Sequence, residues 1–555
     1  MRPLLLSLLL ALLLAAPAAA APNVVLIETD DQTLESMRVM ERTRALLGDQ
    51  GTTFENAFVS LSLCCPSRAS LLTGRYAHNH GVLDIKSPWG GFERLDGSET
   101  LAVWLQRAGY ATVLLGKYLN RYGRRDPAEV PYGWTEWHGL VDPSTYGYYR
   151  YTFNDDGVLR RFGASEADYQ TDVISARAEE IVARRAASPQ PFFLWVSYLA
   201  PHNGLPREAE DPPGTSSPVP APRHAGRFAA EPLPRTPAFD EADVRDKPPA
   251  IRRRPRLGAR QVAAIEHHYR QELESLLAVD EGVARIVGAL ERAGELEDTL
   301  LVFTSDNGYL HGEHRAPAGK VLAYEPSIRV PLRMRGPGVP RALRLGQLAA
   351  NVDLAPTILE AAGASGAWTP DGMSLFEYLR DPGLETGRDL LIEGPARRAD
   401  GLPRFAGVRS TSHLLLERDT GDRELYDLAR DPHQLRNLAG RPRSAPLEAA
   451  LGRRLERLRW CMGADCRLRP DLALTLRALP GGPGRSVGCR FVVGLSGRAR
   501  ARVRSARLSV DGLPVARLHR GSLRGVVRAG SSTVRARVRL RDDRVVTLDR
   551  ALPGC

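Results

Sequence analysis

A few short stretches of this chain carry side chains able to do chemistry together. The densest is Leu63-Cys64-Cys65-Pro66-Ser67-Arg68-Ala69-Ser70-Leu71-Leu72-Thr73-Gly74-Arg75. Adjacent cysteines rarely bridge each other, because the bond is strained. A buried or otherwise disulfide-bonded cysteine ahead of a helix is the plain alternative. A thiol near a helix N-terminus and beside Arg68 sits in an electropositive setting, which favours a reactive cysteine. A second stretch, Asn23-Val24-Val25-Leu26-Ile27-Glu28-Thr29-Asp30-Asp31, ends an apolar run on two acids. Neighbouring carboxylates repel unless a cation separates them, and oxygen donors suit a hard divalent ion; a turn with solvated aspartates is the bland alternative. Thr299-Leu300-Leu301-Val302-Phe303-Thr304-Ser305-Asp306-Asn307-Gly308 repeats the device with an acid and an amide.

Cationic groups fall at similar places. Gly116-Lys117-Tyr118-Leu119-Asn120 follows an apolar run. It is not a phosphate-binding P-loop, since Ala111 stands where the earlier glycine belongs and Tyr118 where Ser or Thr should follow. Ala200-Pro201-His202-Asn203 follows the run Pro191–Tyr198, and His311, Gly312-Glu313-His314 and Gly319-Lys320 follow Asn307. His311 and His314 spell half of a zinc site, but no third N or S donor is near in sequence, so zinc is not expected there. His78 and His80, two apart, would face one site if their segment were extended.

Elements must bring these groups together. The runs Asn23–Thr29, Tyr110–Leu115, Pro191–Tyr198 and Thr299–Ser305 read as buried strands, and parallel strands are apolar on both faces. Each delivers its chemical groups at its C-terminal tip, the sheet edge where open α/β folds bind ligands. Thr33–Gln50 and Leu101–Gly109 read as helices. Ala259–Ala293 keeps a helical period through Ile265, Tyr269, Leu273, Leu276, Leu277, Val283, Ile286, Val287 and Leu290. His267 and His268 on it point to different faces and read as surface residues. Gly204–Arg256 is a long irregular loop rich in Pro, Arg and Ala. The alternation predicts an α/β main domain with a mostly parallel sheet.

At 555 residues the chain is long enough for more than one domain. Residues 1–21 read as a secretory signal peptide: Arg2, the short apolar run Leu4–Leu14, then Pro17 and small residues. No later stretch is apolar and long enough to span a membrane, so an exported, extracytoplasmic protein is expected. The net charge is +11, but Arg467–Cys555 holds 20 Arg against 5 Asp, which is +15 and leaves −4 for the rest. The basic character belongs to the tail, and no nucleic-acid partner is expected for the main domain. In the tail Val503–Val510, Val534–Leu540 and Val545–Leu548 alternate apolar with polar residues, the period of half-buried strands. A β-sandwich module with an arginine-rich face is expected, either a polyanion-binding accessory or a solvated basic surface. Cys461 with Cys466, and Cys489 with Cys555, are the expected disulfides, with cross-pairing open.

The Cys64–Arg75 run resembles the signature of the formylglycine-dependent sulfatases, Cys-x-Pro-Ser-Arg followed by Leu-Leu-Thr-Gly-Arg. Gly-Lys-Tyr-Leu-Asn, Cys-Cys-Pro-Ser-Arg and His-Asn-His resemble the branch containing N-acetylglucosamine-6-sulfatases and the heparan endosulfatases. The resemblance covers about Pro22 to Trp460. It implies an alkaline-phosphatase-like fold at 22–380, a small antiparallel C-terminal subdomain at 381–460 and an appended module at 461–555. It implies that a formylglycine-generating enzyme oxidises Cys64 to formylglycine, and that Asp30, Asp31, Asp306 and Asn307, with modified Cys64, bind one divalent cation. Oxygen ligands make that cation Ca²⁺. Arg68 would orient the aldehyde hydrate; Lys117, Lys320 and His202 would grip sulfate, with Asn120 beside the substrate; His202 or His314 would protonate the leaving alcohol. The implied activity is hydrolysis of sulfate monoesters on sulfated amino sugars or glycans. The alternatives are a phosphonate or phosphodiester hydrolase of the same fold and a non-enzymatic polyanion binder. Many members carry histidine where this chain has Leu119, and His311 or His314 is the candidate substitute.

Overall fold

The structure is a computed structural model, and it describes residues 21–395, 403–467, 469–470, 472–478, 490–519, 524–528 and 533–552. The proposed signal peptide, but for its last residue, and Cys489 and Cys555 lie outside the described residues. A ten-stranded mixed sheet organises the chain. Its strands are β1 (Asn23–Thr29), β2 (Thr52–Phe58), β3 (Ala111–Gly116), β4 (Glu136–Leu140), β5 (Thr152–Asp155), β6 (Val158–Arg161), β7 (Phe192–Ser197), β8 (Thr299–Ser305), β9 (Leu332–Arg335) and β10 (Leu343–Ala350), in spatial order β10-β2-β9-β8-β1-β7-β3-β4-β5-β6. The central run β8-β1-β7-β3-β4 is parallel throughout. The α/β class with a mostly parallel sheet is therefore as expected.

The pleat explains why the strands read as continuous apolar runs. Val24 and Leu26 of β1 join one apolar cluster, with Ala69, Leu71 and Leu72 of the Cys64–Thr73 helix. Val25 and Ile27 point to the other face and pack with the long helix Ala259–Arg292. Both faces are covered, so the middle of β1, Val24–Ile27, is wholly apolar and its charged residues come only toward the tip. A four-stranded antiparallel sheet, β11 (Leu390–Glu393), β12 (Phe405–Arg409), β13 (His413–Arg418) and β14 (Arg423–Asp427), follows, with the Ala445–Leu458 helix against it.

The segment expected as one helix over 33–50 is broken instead. It runs as a 3₁₀ turn at Glu35–Val39, a single turn at Glu41–Thr43 and a wider π turn at Arg44–Asp49. Met40 leaves the helical region (φ −93°, ψ 71°). The carboxylate of Asp280 takes the freed backbone N–H groups of Arg42 and Thr43 at 3.0 and 2.7 Å. A buried capping partner on a distant helix overrides the local propensity.

Beyond residue 460 a three-stranded sheet and the four-stranded sheet of Val503–Val510, Leu513–His519, Thr533–Leu540 and Val545–Ala551 share one apolar cluster that includes Leu474, Phe491, Val493, Leu508 and Val538. Cys461 and Cys466 form a disulfide before it.

Candidate active site

The tips of β3, β7, β1 and β8 lie side by side, and the sequence places a polar or charged group at each. At β3, Gly116 (φ +109°) runs so close to β7 that a Cβ would lie 2.0 Å from the Ser197 carbonyl oxygen. Only glycine fits there, and the turn it allows delivers Lys117 to the sheet edge. At β1, Asp30 is followed by Asp31 in the left-handed region (φ 69°), which aspartate tolerates better than most residues. Cys64 is the first residue of the Cys64–Thr73 helix and Arg68 lies one turn on, so both share a face. Gly74 (φ 65°) closes that helix.

The groups converge. Ligand-type atoms of Asp30, Asp31, Cys64 and Asp306 all lie within 4.8 Å of one another. Cys64 Sγ is 3.5 Å from Asp30 Oδ1 and 2.8 Å from Lys320 Nζ. Lys117 Nζ pairs with Asp30, and Lys320 Nζ with Asp31. Arg68, wholly buried, donates from Nε to Asp306 at 2.8 Å, and from Nη1 to Ser197 Oγ at 2.6 Å and the Lys117 carbonyl at 3.1 Å. It also faces Glu28 at 3.1 Å and Asp30 at 3.6 Å. Its guanidinium is thus a brace under the carboxylates. His202 donates Nδ1–H to the Asn203 carbonyl at 2.8 Å, which turns Nε2 toward Asp31, 3.8 Å away.

The carboxylates divide electrostatically. Burial would raise Asp30, but Lys117 first, then His202 and Lys320, hold it well below the usual carboxylate range. Burial and the Asp30 charge push Asp306 up to about 6 against the pull of Arg68. Glu28 rises to about 8, chiefly by burial and despite Arg68. Burial lowers His202 against the pull of Asp30 and Asp31. The Cys64 thiol is pushed up, by burial and then Asp30, although Lys117 and Lys320 oppose. The helix end is buried and Arg68 is engaged by acids, while the Lys320 ammonium stands 2.8 Å from the sulfur.

The donor set fits a hard divalent cation. Three carboxylates lie with their ligand atoms within 4.8 Å of one another, and Asn307 Oδ1 is buried without a hydrogen-bond partner while its Nδ2 donates to Asp31 at 2.5 Å. An orphaned amide oxygen beside three acids is the arrangement a calcium-type ion needs.

A family model described as Sulfatase matches residues 22–364, and one described as N-sulphoglucosamine sulphohydrolase, C-terminal, matches residues 312–460. The chain belongs to the sulfatase family. It is a sulfuric ester hydrolase of the alkaline-phosphatase-like fold. It is 34% identical over 496 residues to N-acetylglucosamine-6-sulfatase of Capra hircus, covering 81% of this chain and 86% of that one. It is 38% identical over 364 residues to a putative extracellular sulfatase Sulf-1 homolog of Caenorhabditis elegans, covering 64% of this chain and only about half, 49%, of that protein. A solved structure described as a complex with its substrate D-glucosamine-2-N,6-O-disulfate superposes with a TM-score of 0.67 at 25% identity, over 79% of this chain and 97% of that one.

In this sulfatase the remaining candidates separate. Leu119 is buried in the apolar core with Tyr118 and Tyr122. Beside Lys117 stands Tyr146, its ring 5.0 Å from Nζ and 5.2 Å from the His202 ring. Asn120 donates to the Tyr146 hydroxyl at 2.6 Å, and its own Oδ1 is buried without a partner. His314 pairs with Glu241 at 2.6 Å and packs on Tyr324, while His311 faces Glu272 at 2.9 Å. His78 and His80 are on a short helix, not an extended segment. They bind Glu393 and Ser70 and are not part of this cluster. His268 is half-buried against Tyr309 and His311, which corrects its reading as a surface residue.

Sequence reasoning missed Glu28, Ser197 and Tyr146. Glu28 was visible as a third acid next to Asp30, inside a run that otherwise admits no charge. Tyr146 left no signal, because it reaches the site from the irregular stretch between β4 and β5.

Proposed function

We propose that this sulfatase removes 6-sulfate groups from glucosamine-type sugars outside the cytoplasm, using formylglycine made from Cys64 and one calcium ion. The observation that carries the reading is the buried cluster of Asp30, Asp31, Asp306 and the orphaned Asn307 Oδ1 around Cys64, with Lys117 and Lys320 closing on it. The substrate class is supported by the names of the relatives and by the sugar disulfate in the similar solved structure. Export is supported by the residues 1–21 and by the extracellular relative; no described helix is long and apolar enough to cross a membrane.

Asp30, Asp31, Asp306 and Asn307 would hold the cation, which would withdraw charge from the sulfate oxygens. The hydrated aldehyde would supply one hydroxyl as nucleophile and keep a second that lets sulfate leave. The chain's own residues do the rest. Arg68 keeps Asp306 and the Lys117 backbone in place. Lys117 and Lys320 present two ammonium groups to the oxygens on which charge grows in the transition state. His202, with its Nδ1–H tied to the Asn203 carbonyl, points Nε2 at the site and in its imidazolium form would donate the Nε2 proton to the leaving sugar oxygen. His314, engaged by Glu241, is the weaker candidate. Tyr146 and Asn120 form the wall behind Lys117 against which the sulfated group would rest.

The test is turnover of N-acetylglucosamine 6-sulfate, compared with an N-sulfated sugar and an aryl phosphodiester at equal concentration, by protein carrying formylglycine in its Cys64 tryptic peptide. A preference for the 6-sulfate is expected. Faster cleavage of the phosphodiester would give the reaction to the rival class.

A further inference from the structure

We propose that this sulfatase holds a second metal ion, of the borderline zinc class, between His268, Glu272 and His311. His268 and Glu272 are four residues apart on one face of the Ala259–Arg292 helix, and His311 comes from the loop after β8. Their three ligand-type atoms lie within 4.8 Å of one another. Two imidazoles and one carboxylate are the protein ligands of an open zinc site, with the fourth position left for water or an exogenous group.

The hydrogen bonding already suits such an ion. His268 Nδ1 faces the Ser216 carbonyl oxygen at 3.4 Å, so Nδ1 carries the proton and Nε2 keeps its lone pair. Tyr309 stacks on the His268 ring at 4.9 Å with the ring planes 10° apart, which fixes its orientation. Glu272 and His311 are 1% and 8% exposed. Glu272 Oε2 and His311 Nε2 stand 2.9 Å apart as a buried ion pair, and neither atom has a further hydrogen-bond partner among the described residues. A cation shared by the two would replace this single contact and satisfy both atoms.

His268 and His311 line a cleft of about 360 Å³ together with Asn203, Ser216 and Tyr309. Asn203 follows His202, and Tyr309 lies close enough to feel the charges of Asp31 and Lys320. The ion's open side would face this cleft beside the reaction centre. It would also clamp the long helix to the loop that carries Asn307 and Lys320. Nitrogen donors set the site apart from the all-oxygen cluster, which selects a hard ion instead.

Untagged holoenzyme in excess Ca²⁺ is titrated with Co²⁺. The result expected is one saturable equivalent with a visible absorption band, displaced by Zn²⁺. His268→Gln and His311→Gln should each weaken Co²⁺ binding on the order of 10-fold or more while the bound Ca²⁺ is unchanged. No saturable band in the holoenzyme, or a band that neither variant alters, overturns the proposal. Anomalous diffraction from Zn²⁺-soaked wild-type crystals decides without any variant: a peak among His268, Glu272 and His311 supports the site, and its absence refutes it.

Discussion

Substituting the two neighbouring cysteines should separate chemistry from packing. Cys64 faces Asp30 and Lys320, whereas Cys65 is buried in the apolar cluster beneath the helix. Cys64→Ala is expected to abolish turnover and leave the fold intact. Cys65→Ala leaves only a small cavity, costing about 1–2 kcal/mol of stability, and should keep most of the turnover. Steady-state rates and denaturant midpoints on both variants check this; full activity in Cys64→Ala would refute the assignment. A second residue-scale outcome concerns acid. His80 accepts the Val82 N–H at Nδ1 (3.1 Å) and lies 3.0 Å from Ser70 Oγ at Nε2, a neutral tautomer. Burial, then His78 and Arg75, push it down to about 3 from an ordinary 6.5. Below pH 6.5 the unfolded chain takes a proton that the native chain refuses until about pH 3. The contribution of His80 is thus intact above 6.5 and lost as pH falls toward 3. His80→Gln should remove up to about 1.4 kcal/mol of acid sensitivity per pH unit in that window. Parallel stability-versus-pH curves for the two proteins would show the reverse.

At the scale of elements, the strand tips were legible in the sequence and their bracing was not. An apolar run that ends abruptly on Asp30-Asp31, on Asp306-Asn307 or on Gly116-Lys117 reads as a buried strand reaching the sheet edge, so ligand groups and their grouping could be read together. Arg68 could be placed one helical turn from Cys64, but not aimed. Its partners Glu28, Ser197 and Asp306 come from three different strands, and the long-range geometry that joins them has no periodic signature. The same holds for His268 and His311, which lie on a helix and a loop far apart in sequence whose rings come within 5.8 Å of each other. The bracing makes a prediction. Asn307→Ala removes one bond to Asp31 and, in the proposed site, an oxygen ligand, so the content of the proposed divalent cation should fall while stability changes by about 1 kcal/mol. Asp306→Ala also leaves the buried Arg68 guanidinium short of its carboxylate, and should cost about 3–5 kcal/mol in addition to the metal. Elemental analysis with urea denaturation separates the two. Equal stability loss in both would mean that Arg68 is not held by Asp306.

For the whole molecule, the basic tail turns out to be partly occupied. Arg535 pairs with Asp381 and Asp549, Arg537 pairs with Glu385 at 2.7 Å, the Thr547 N–H donates to the Glu385 carbonyl at 2.7 Å, and the Glu385 N–H donates to Thr547 Oγ1 at 2.9 Å. The contact is polar: Asp389 and Arg454 are buried near Arg544 and Asp542, each of whose charges acts on them. Arginines that are committed to the body of the protein are not free to bind a polyanion, whereas Arg504 and Arg539 pair, among the described residues, with Asp543 within the module and stay solvated. None of these residues touches the Cys64 cluster. A chain ending at residue 466, which keeps both Cys461 and Cys466, should therefore retain turnover of a small sulfate ester within a few-fold. It should melt earlier, because Asp389 and Arg454 lose their neighbours and the surface around Gly387, against which Val546 packs, is uncovered. Its net charge falls from +11 to −4 by loss of 20 Arg and 5 Asp, so any retention on a heparin column should vanish with the module. Loss of turnover on the small ester, with the shortened protein still folded by circular dichroism, would show that the module reaches into catalysis.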